Sequence, residues 1–326
     1  MIDIRKRELA ERASILYYEK NFSQNEIAKA VGISRSSVSQ LLSFARNTGI
    51  VEISINIDEY NPRMIRREIE LKENFPHMMQ FYIMSSESEE ATKRNLGDFA
   101  APYLSEMINE AEVIGVNLGA SVDRAIRNLS KHYLKKSEGK KIVQIMGCFN
   151  KDIGRAHPNE LVKRLGSILK CSSFYLNCPA VVEQDELRKA LLKETSIDTV
   201  IKMWDQIDLA IIGIGVVNEQ SKLNFLLSRS MKNRIMKSDA CSEVNINFFD
   251  IHGEYIPLLK ENKISASYDT LKKIKKKVAI CHGEHKKEAI LAALNARIID
   301  VLITDSLTID AIGKCNKAEL KNSGEE

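Results

Sequence analysis

Arg35, Ser36, Ser37, Ser39 and Gln40 are interleaved with apolar residues, Ile33, Val38, Leu41 and Leu42, that recur at helical spacing. Ser34 is a good N-cap for a helix beginning there. The polar residues then face outward at the helix start, and Arg46 follows in the same segment. Guanidinium, amide and hydroxyl groups so placed are donors and acceptors for base edges and phosphates. Ser34, Arg35, Ser36, Ser37, Ser39, Gln40 and Arg46 are therefore the candidate nucleic-acid contacts.

Small residues after apolar runs suggest a second chemistry. VIGV, residues 113–116, is followed by Asn117-Leu118-Gly119-Ala120-Ser121 and then a helical stretch. A small-residue loop entering a helix N-terminus cradles anions, because backbone N–H groups point at the ligand; the Ser121 hydroxyl adds a donor. Gly147-Cys148 follows IVQIM, and Gly213-Ile214-Gly215 closes LAIIGIG. Glycine is common at strand ends for turn geometry alone. Three such loops in one domain favour a phosphate or sugar pocket lined by Gly119, Ala120, Ser121, Gly147, Cys148, Gly213 and Gly215.

Two charged side chains could complete it. Lys286 falls in the first turn of a helix after VAICHG, where its cation would stand at the pocket rim and pair with a phosphate. The competing reading is a solvated lysine, as expected for the cluster Lys272, Lys273, Lys275, Lys276 and Lys277. Asp250 ends the apolar run NFF; it could accept hydrogen bonds from sugar hydroxyls, or open a turn before Gly253. Cys281 and His282 are adjacent, but neighbours on an extended segment point to opposite sides and make a poor catalytic dyad. No His, Cys, Asp and Glu spacing suggests a metal site, and the reading calls for no cofactor and no catalytic residue.

The elements that must position these residues are legible in outline. Ser23–Val51 has helix-turn-helix spacing: Ala28 is small where two helices cross, Gly32 suits the tight turn, and Ile27, Val31, Ile33, Val38, Leu41 and Leu42 fill one core. Residues 5–20 add an amphipathic helix through Leu9, Ala13, Leu16 and Tyr17. VEISINI, residues 51–57, alternates as a half-buried strand does, which would give a winged-helix-like head. Polar DEYNP, residues 58–62, marks a boundary, and 63–74 reads as a connecting helix. Strands are expected at 80–84, 113–116, 142–146, 174–176, 209–214, 244–249, 278–281 and 300–304. Helices are expected at 91–109, 121–133, 159–169, 183–205 and 286–296. This alternation implies parallel crossovers and a large doubly wound, Rossmann-like α/β domain. The expected organisation is a DNA-binding head over 1–57, a linker and connecting helix over 58–76, and an effector-binding and oligomerisation domain over 77–326.

The 326 residues suffice for a small domain and a large one, and the net charge of +4 is mild. Residues 1–50 hold Arg5, Lys6, Arg7, Arg12, Lys20, Lys29, Arg35 and Arg46, with fewer acids, so a local positive face is available to DNA. Six scattered cysteines form no CxxC pair, which argues against a zinc site or a disulfide framework. With no signal peptide and no apolar run near ~18 residues, the expected location is the cytoplasm.

With these pieces assembled, the chain resembles the SorC family of bacterial sugar-responsive transcriptional regulators. The resemblance runs from SQNEIAKAVGISRSSVSQLL through DLAIIGIG and NFFDIHGE to GEHKKEAILAAL and DVLITDSLT. It implies an effector domain related to the glucosamine-6-phosphate deaminase and ribose-5-phosphate isomerase fold. It also implies a phosphorylated sugar or similar small polyol as inducer, and a homotetramer that binds operator DNA, as a repressor would. Carried over, the family's phosphate loop falls on Gly119, Ala120 and Ser121, its second loop on Gly147 and Cys148, its sugar-facing carboxylate on Asp250 and its lysine on Lys286. The chain departs from the family pattern at Leu118-Gly119, at Gly147-Cys148, at Cys281-His282-Gly283, and at Asn247, where an arginine is common. One cation is lost and two glycines gain side chains, which implies a smaller, less basic pocket.

The alternative is a sugar-phosphate isomerase or deaminase, suggested by the fold relationship alone; it needs a positioned base, and Asp250 has no evident acid partner. A third class is an adaptor whose head binds protein instead of DNA.

Overall fold

In the computed structural model the described residues are 4–52, 63–129, 134, 139–149, 157–219, 221, 223 and 227–322. The chain divides into two compact units, Met1–Asn61 and Pro62–Glu326.

The first unit contains α1 (Ile4–Ser14), extended by a π-helical turn over Ile15–Glu19, then α2 (Gln24–Val31) and α3 (Arg35–Asn47). Local chemistry sets the boundaries of α2 and the start of α3. Ser23 caps α2 in a reciprocal box with Glu26, Gly32 ends it in the left-handed region at φ 72°, and Ser34 caps α3. Ala10, Ala13, Ile27, Val38, Leu41, Leu42 and Ala45 form a single buried core. The strand expected over 51–57 falls mostly outside the described residues, and Val51 and Glu52 are not in a strand. The boundary expected at 58–62 also lies outside them.

In the second unit, α4 (Ile65–Asn74) precedes β1 (Gln80–Met84) and α5 (Glu89–Glu110). β2 (Val113–Val116), α6 (Ala120–Arg127), β3 (Lys141–Gln144), α7 (Pro158–Leu169) and β4 (Ser172–Phe174) follow. After α8 (Asp185–Lys193) and α9 (Thr195–Lys202) come β5 (Leu209–Ile212), β6 (Gly215–Val216), α10 (Arg229–Met236), β7 (Ser242–Val244), β8 (Asn247–Phe249) and β9 (Tyr255–Ile256). α11 (Tyr268–Lys273), β10 (Lys276–Ile280), α12 (Lys287–Asn295), β11 (Val301–Asp305) and α13 (Ser306–Asn322) complete it.

Among the described residues, seven strands form a parallel sheet in the order β1-β11-β10-β5-β2-β3-β4. β2, β5 and β11 are buried along their whole length, as expected of a parallel sheet with helices on both faces. Chain order reverses between β2 and β5: β3 and β4 step away on one side, β10 and β11 on the other. α4 belongs to this unit, packing on β1 through the buried Glu68, which pairs with Arg63 and accepts the Ile83 N–H at 2.9 Å.

Two expectations are corrected. Residues 244–249 are not one crossover strand; β7 and β8 are an antiparallel hairpin in a second sheet, β6-β7-β8-β9. Asn245 and Ile246 both turn at positive φ, 56° and 59°. That is the backbone of a two-residue hairpin turn, here with a β-branched residue where glycine is usual. The helix expected over 183–205 is broken at Glu194, whose extended ψ of 127° separates α8 from α9.

Candidate functional site

α3 presents its polar residues to solvent. Arg35, Ser36, Ser39, Gln40 and Arg46 are exposed, while Val38, Leu41 and Leu42 are buried beneath them. Ser34 is engaged in capping: its Oγ accepts from the Ser37 N–H at 3.1 Å and lies 2.8 Å from the hydroxyls of Ser36 and Ser37. Ser37 is only partly exposed, and Arg46 donates to the Ser43 hydroxyl at 3.3 Å. Arg35, Ser39 and Gln40 thus form the part of this face whose side chains lie outside the capping network, with the Ser36 hydroxyl at its edge.

In the second unit, ligands of an open parallel sheet bind outside the carboxyl ends of the strands, where the order reverses. Here that is the crevice between β2 and β5. Asn117, just past β2, is buried and accepts the Gly213 N–H at 3.0 Å, joining the two strand ends. Gly119 and Gly213 then approach backbone to backbone: a Cβ on Gly213 would stand 2.9 Å from the Leu118 carbonyl oxygen. Gly119 is the N-cap of α6 and has no side chain with which to cap it, so the first-turn N–H groups of Ala120 and Ser121 have no side-chain cap.

Lys286 reaches the same place. Its Nζ donates to the Ile214 carbonyl at 2.8 Å, between the two glycines of the β5–β6 link. Glu243 on β7 faces this link: a Cβ on Gly215 would stand 2.5 Å from its carboxylate. Burial pushes the Glu243 carboxyl pKa up, opposed by the Ile246 N–H it accepts and by the charges of Lys263 and Lys286. Lys263, in turn, donates to the Ile246 carbonyl at 3.0 Å and to the Asn247 side chain. A lysine amine therefore reaches position 247, where the family pattern has its arginine. Gly119, Ala120, Ser121, Gly213, Gly215 and Lys286 are brought together.

Three expected residues are placed otherwise. Gly147 follows β3, but a Cβ there would stand 2.6 Å from the carbonyl oxygens of Cys178 and Pro179, so its lack of a side chain serves backbone packing. The Cys148 thiol donates to Asn159 Oδ1 at 3.1 Å. Asp250 accepts the Glu254 N–H at 2.8 Å and closes the turn containing Gly253. That turn packs against Asn295 and Ala296 at the end of α12 opposite Lys286, so Asp250 does open a turn before Gly253. Glu243, by contrast, gives no sequence signal of its own, because the hairpin that positions it is not evident in the sequence.

Arg124 of α6 and His282, just past β10, stand at the same edge, with Arg124 Nη1 3.4 Å from His282 Nε2. Cys281 beside it is fully buried and its thiol is pushed up to about 12 by burial, which fits a packing role. Among the described residues no group of three or more His, Cys, Asp or Glu could hold a metal ion, and no helix is long and apolar enough to cross a membrane.

A helix-turn-helix unit and a parallel α/β unit with a polar crevice at its strand reversal define a ligand-responsive regulator class. Residues 61–312 match the family model described as "Putative sugar-binding domain", and the chain belongs to this family of sugar-binding transcriptional regulators. It is 28% identical over 311 residues to the sorbitol operon regulator of Klebsiella pneumoniae, covering 92% of this chain and 95% of that one. It is 24% identical to the deoxyribonucleoside regulator of Bacillus subtilis, covering 95% and 99%. The crystal structure of the full-length Klebsiella sorbitol operon regulator SorC superposes with a TM-score of 0.73 at 25% identity, over 94% of this chain and 98% of that one. A DeoR family regulator from Listeria monocytogenes gives 0.68 at 27% identity, over 76% and 98%. These relatives are regulators, not enzymes.

Proposed function

We propose that this chain represses transcription by binding operator DNA through α3, and that a small phosphorylated sugar or polyol in the β2/β5 crevice controls that binding. The observation that carries the reading is the convergence of the uncapped α6 N-terminus, the paired backbones of Gly119 and Gly213, and the Lys286 amine on one strand reversal. Helix N–H groups and a cation suit a phosphate; the Glu243 carboxylate suits sugar hydroxyls. In this reading Gly119, Ala120, Ser121, Gly213, Gly215 and Lys286 contact the effector. Glu243 takes the role that the family pattern gives to Asp250, and Arg35, Ser36, Ser39, Gln40 and Arg46 contact DNA.

The effector acts by linkage: a ligand with unequal affinity for two states of the protein changes operator affinity by the same coupling. One short recognition helix binds weakly, so the functional species pairs heads in a homodimer or homotetramer. The protein acts in the cytoplasm, where such sugars and DNA meet. Gel shifts with the protein's own promoter region, with and without a panel of sugar phosphates, test this. Absence of sequence-preferring binding at moderate salt overturns the DNA reading; an unaltered shift across the panel overturns the effector reading.

A further inference from the structure

We propose that His282 is a direct ligand of the effector's phosphate, its imidazole donating the Nδ1 proton to a phosphate oxygen at the N-terminal end of α6. This rests on the crevice assignment above and names a residue that assignment does not use.

His282 is 8% exposed, and among the described residues its Nδ1 is buried without a hydrogen-bond partner. Polar atoms so buried are rarely left unsatisfied, and this one calls for a partner that the described residues do not supply. The other ring nitrogen fixes what Nδ1 offers. Arg124 has donors only, so at 3.4 Å the His282 Nε2 is its acceptor, and in a neutral ring the proton then sits on Nδ1. The unsatisfied atom is therefore an N–H seeking an oxygen acceptor.

The surroundings select the kind of acceptor. α6 packs against β10, and side chains on a helix lean toward its N-terminus, so Arg124 leans back toward the end where Gly119 leaves the first-turn N–H groups without a side-chain cap, with the imidazole against it. The charged groups facing the ring are Asp305 from β11, Lys286 from before α12, Arg124 from α6 and Glu89 from α5. Asp305 is already committed, accepting from the Thr308 N–H at 3.1 Å and from its hydroxyl at 2.6 Å. Thr308 Oγ1 also accepts the Gly283 N–H at 2.8 Å, which pins the chain just after His282. Burial holds the imidazole below its ordinary pKa, so near neutral pH the ring is the single-donor form described. A helix N-terminus, a guanidinium and a fixed N–H make a site for an oxyanion, not for an uncharged hydroxyl.

The test is calorimetric titration of the full-length protein with inorganic phosphate, comparing wild type with H282N and H282Q. An asparagine amide can stand close to Nδ1, whereas a glutamine amide stands close to Nε2. The expected result is saturable phosphate binding by wild type, retained within about threefold by H282N and weakened at least tenfold by H282Q, with both variants melting near wild type. Ring 15N spectra should also report the Nδ1–H tautomer and a downfield move of that proton on adding phosphate. H282Q binding phosphate as wild type does would overturn the inference and leave the crevice reading intact. Equal loss in both variants, with no phosphate effect on the ring proton, would also overturn it, because the role is then structural. No saturable phosphate binding by wild type overturns the inference and the phosphate half of the crevice reading together.

Discussion

Gly119 and Gly213 meet backbone to backbone: a Cβ built on Gly119 stands 3.6 Å from Gly213 Cα, and one built on Gly213 stands 2.9 Å from the Leu118 carbonyl oxygen. A methyl on Gly213 forces β2 and β5 apart just where the effector is proposed to sit. G213A should destabilise the protein by about 1–3 kcal/mol, the usual range for overpacking. It should also weaken the effector's thermal stabilisation at least tenfold in concentration. Thermal-shift titration with any sugar phosphate that alters the gel shift reads both; an unchanged midpoint would remove this pair of glycines from the site.

The two carboxylates near the hairpin separate cleanly. Glu243 faces the β5–β6 link, while Asp250 closes its own turn at the other end of α12. E243Q should weaken the effector response at least tenfold. D250N should shift it less than threefold and lower the melting temperature slightly. Gel-shift release curves and thermal melts measure both, and the reverse ranking would restore Asp250 to the site.

On α3, R35A and Q40A should each lower operator affinity by about 1–3 kcal/mol where the side chain reads a base, and removing a side chain that neutralises a phosphate should reduce the salt slope by about 1. S34A acts differently, because Ser34 Oγ caps α3 through the Ser37 N–H. It should cost roughly 1 kcal/mol of head stability. Filter binding at several salt concentrations, with thermal melts alongside, distinguishes the two; DNA affinity untouched in R35A and Q40A would point to a protein partner.

Lys263 gives a pH dependence. Burial pushes its amine down to about 7, against the pull of Glu243. In the unfolded chain a lysine titrates near about 10.4. As pH falls from about 10 to about 7 the unfolded chain gains a proton that the folded chain holds less well, so this residue's contribution to stability falls; below about 7 it is constant. Urea unfolding across this range should show wild type losing about 1–4 kcal/mol relative to K263M, allowing ~1.4 kcal/mol for each pKa unit. A difference that grows the other way would mean the amine stays charged throughout.

How much of the molecule is legible in its sequence depends on the range of the signal. The head is legible because its determinants are local: Ser23 with Glu26, Gly32 and Ser34 each act within a few residues. The parallel strands are legible because burial on both faces leaves unbroken apolar runs such as LAII. The loops at Gly119 and Gly213 follow from those strand ends. Gly147 does not, because a glycine that admits a ligand and one that admits the Cys178–Ala180 backbone look alike in sequence. Glu243 is hidden because Ile246 occupies a turn position that glycine would have advertised. His282 invites attention in the sequence only beside Cys281, whereas its relevant neighbour, Arg124, is 158 residues away.

Only Gly213 and Ile214 separate the last residue of β5 from the first of β6. The parallel sheet and the hairpin sheet are therefore spliced at the floor of the crevice, and whatever shifts one moves the other. Such a floor is joinery, two layers held by one short span of chain.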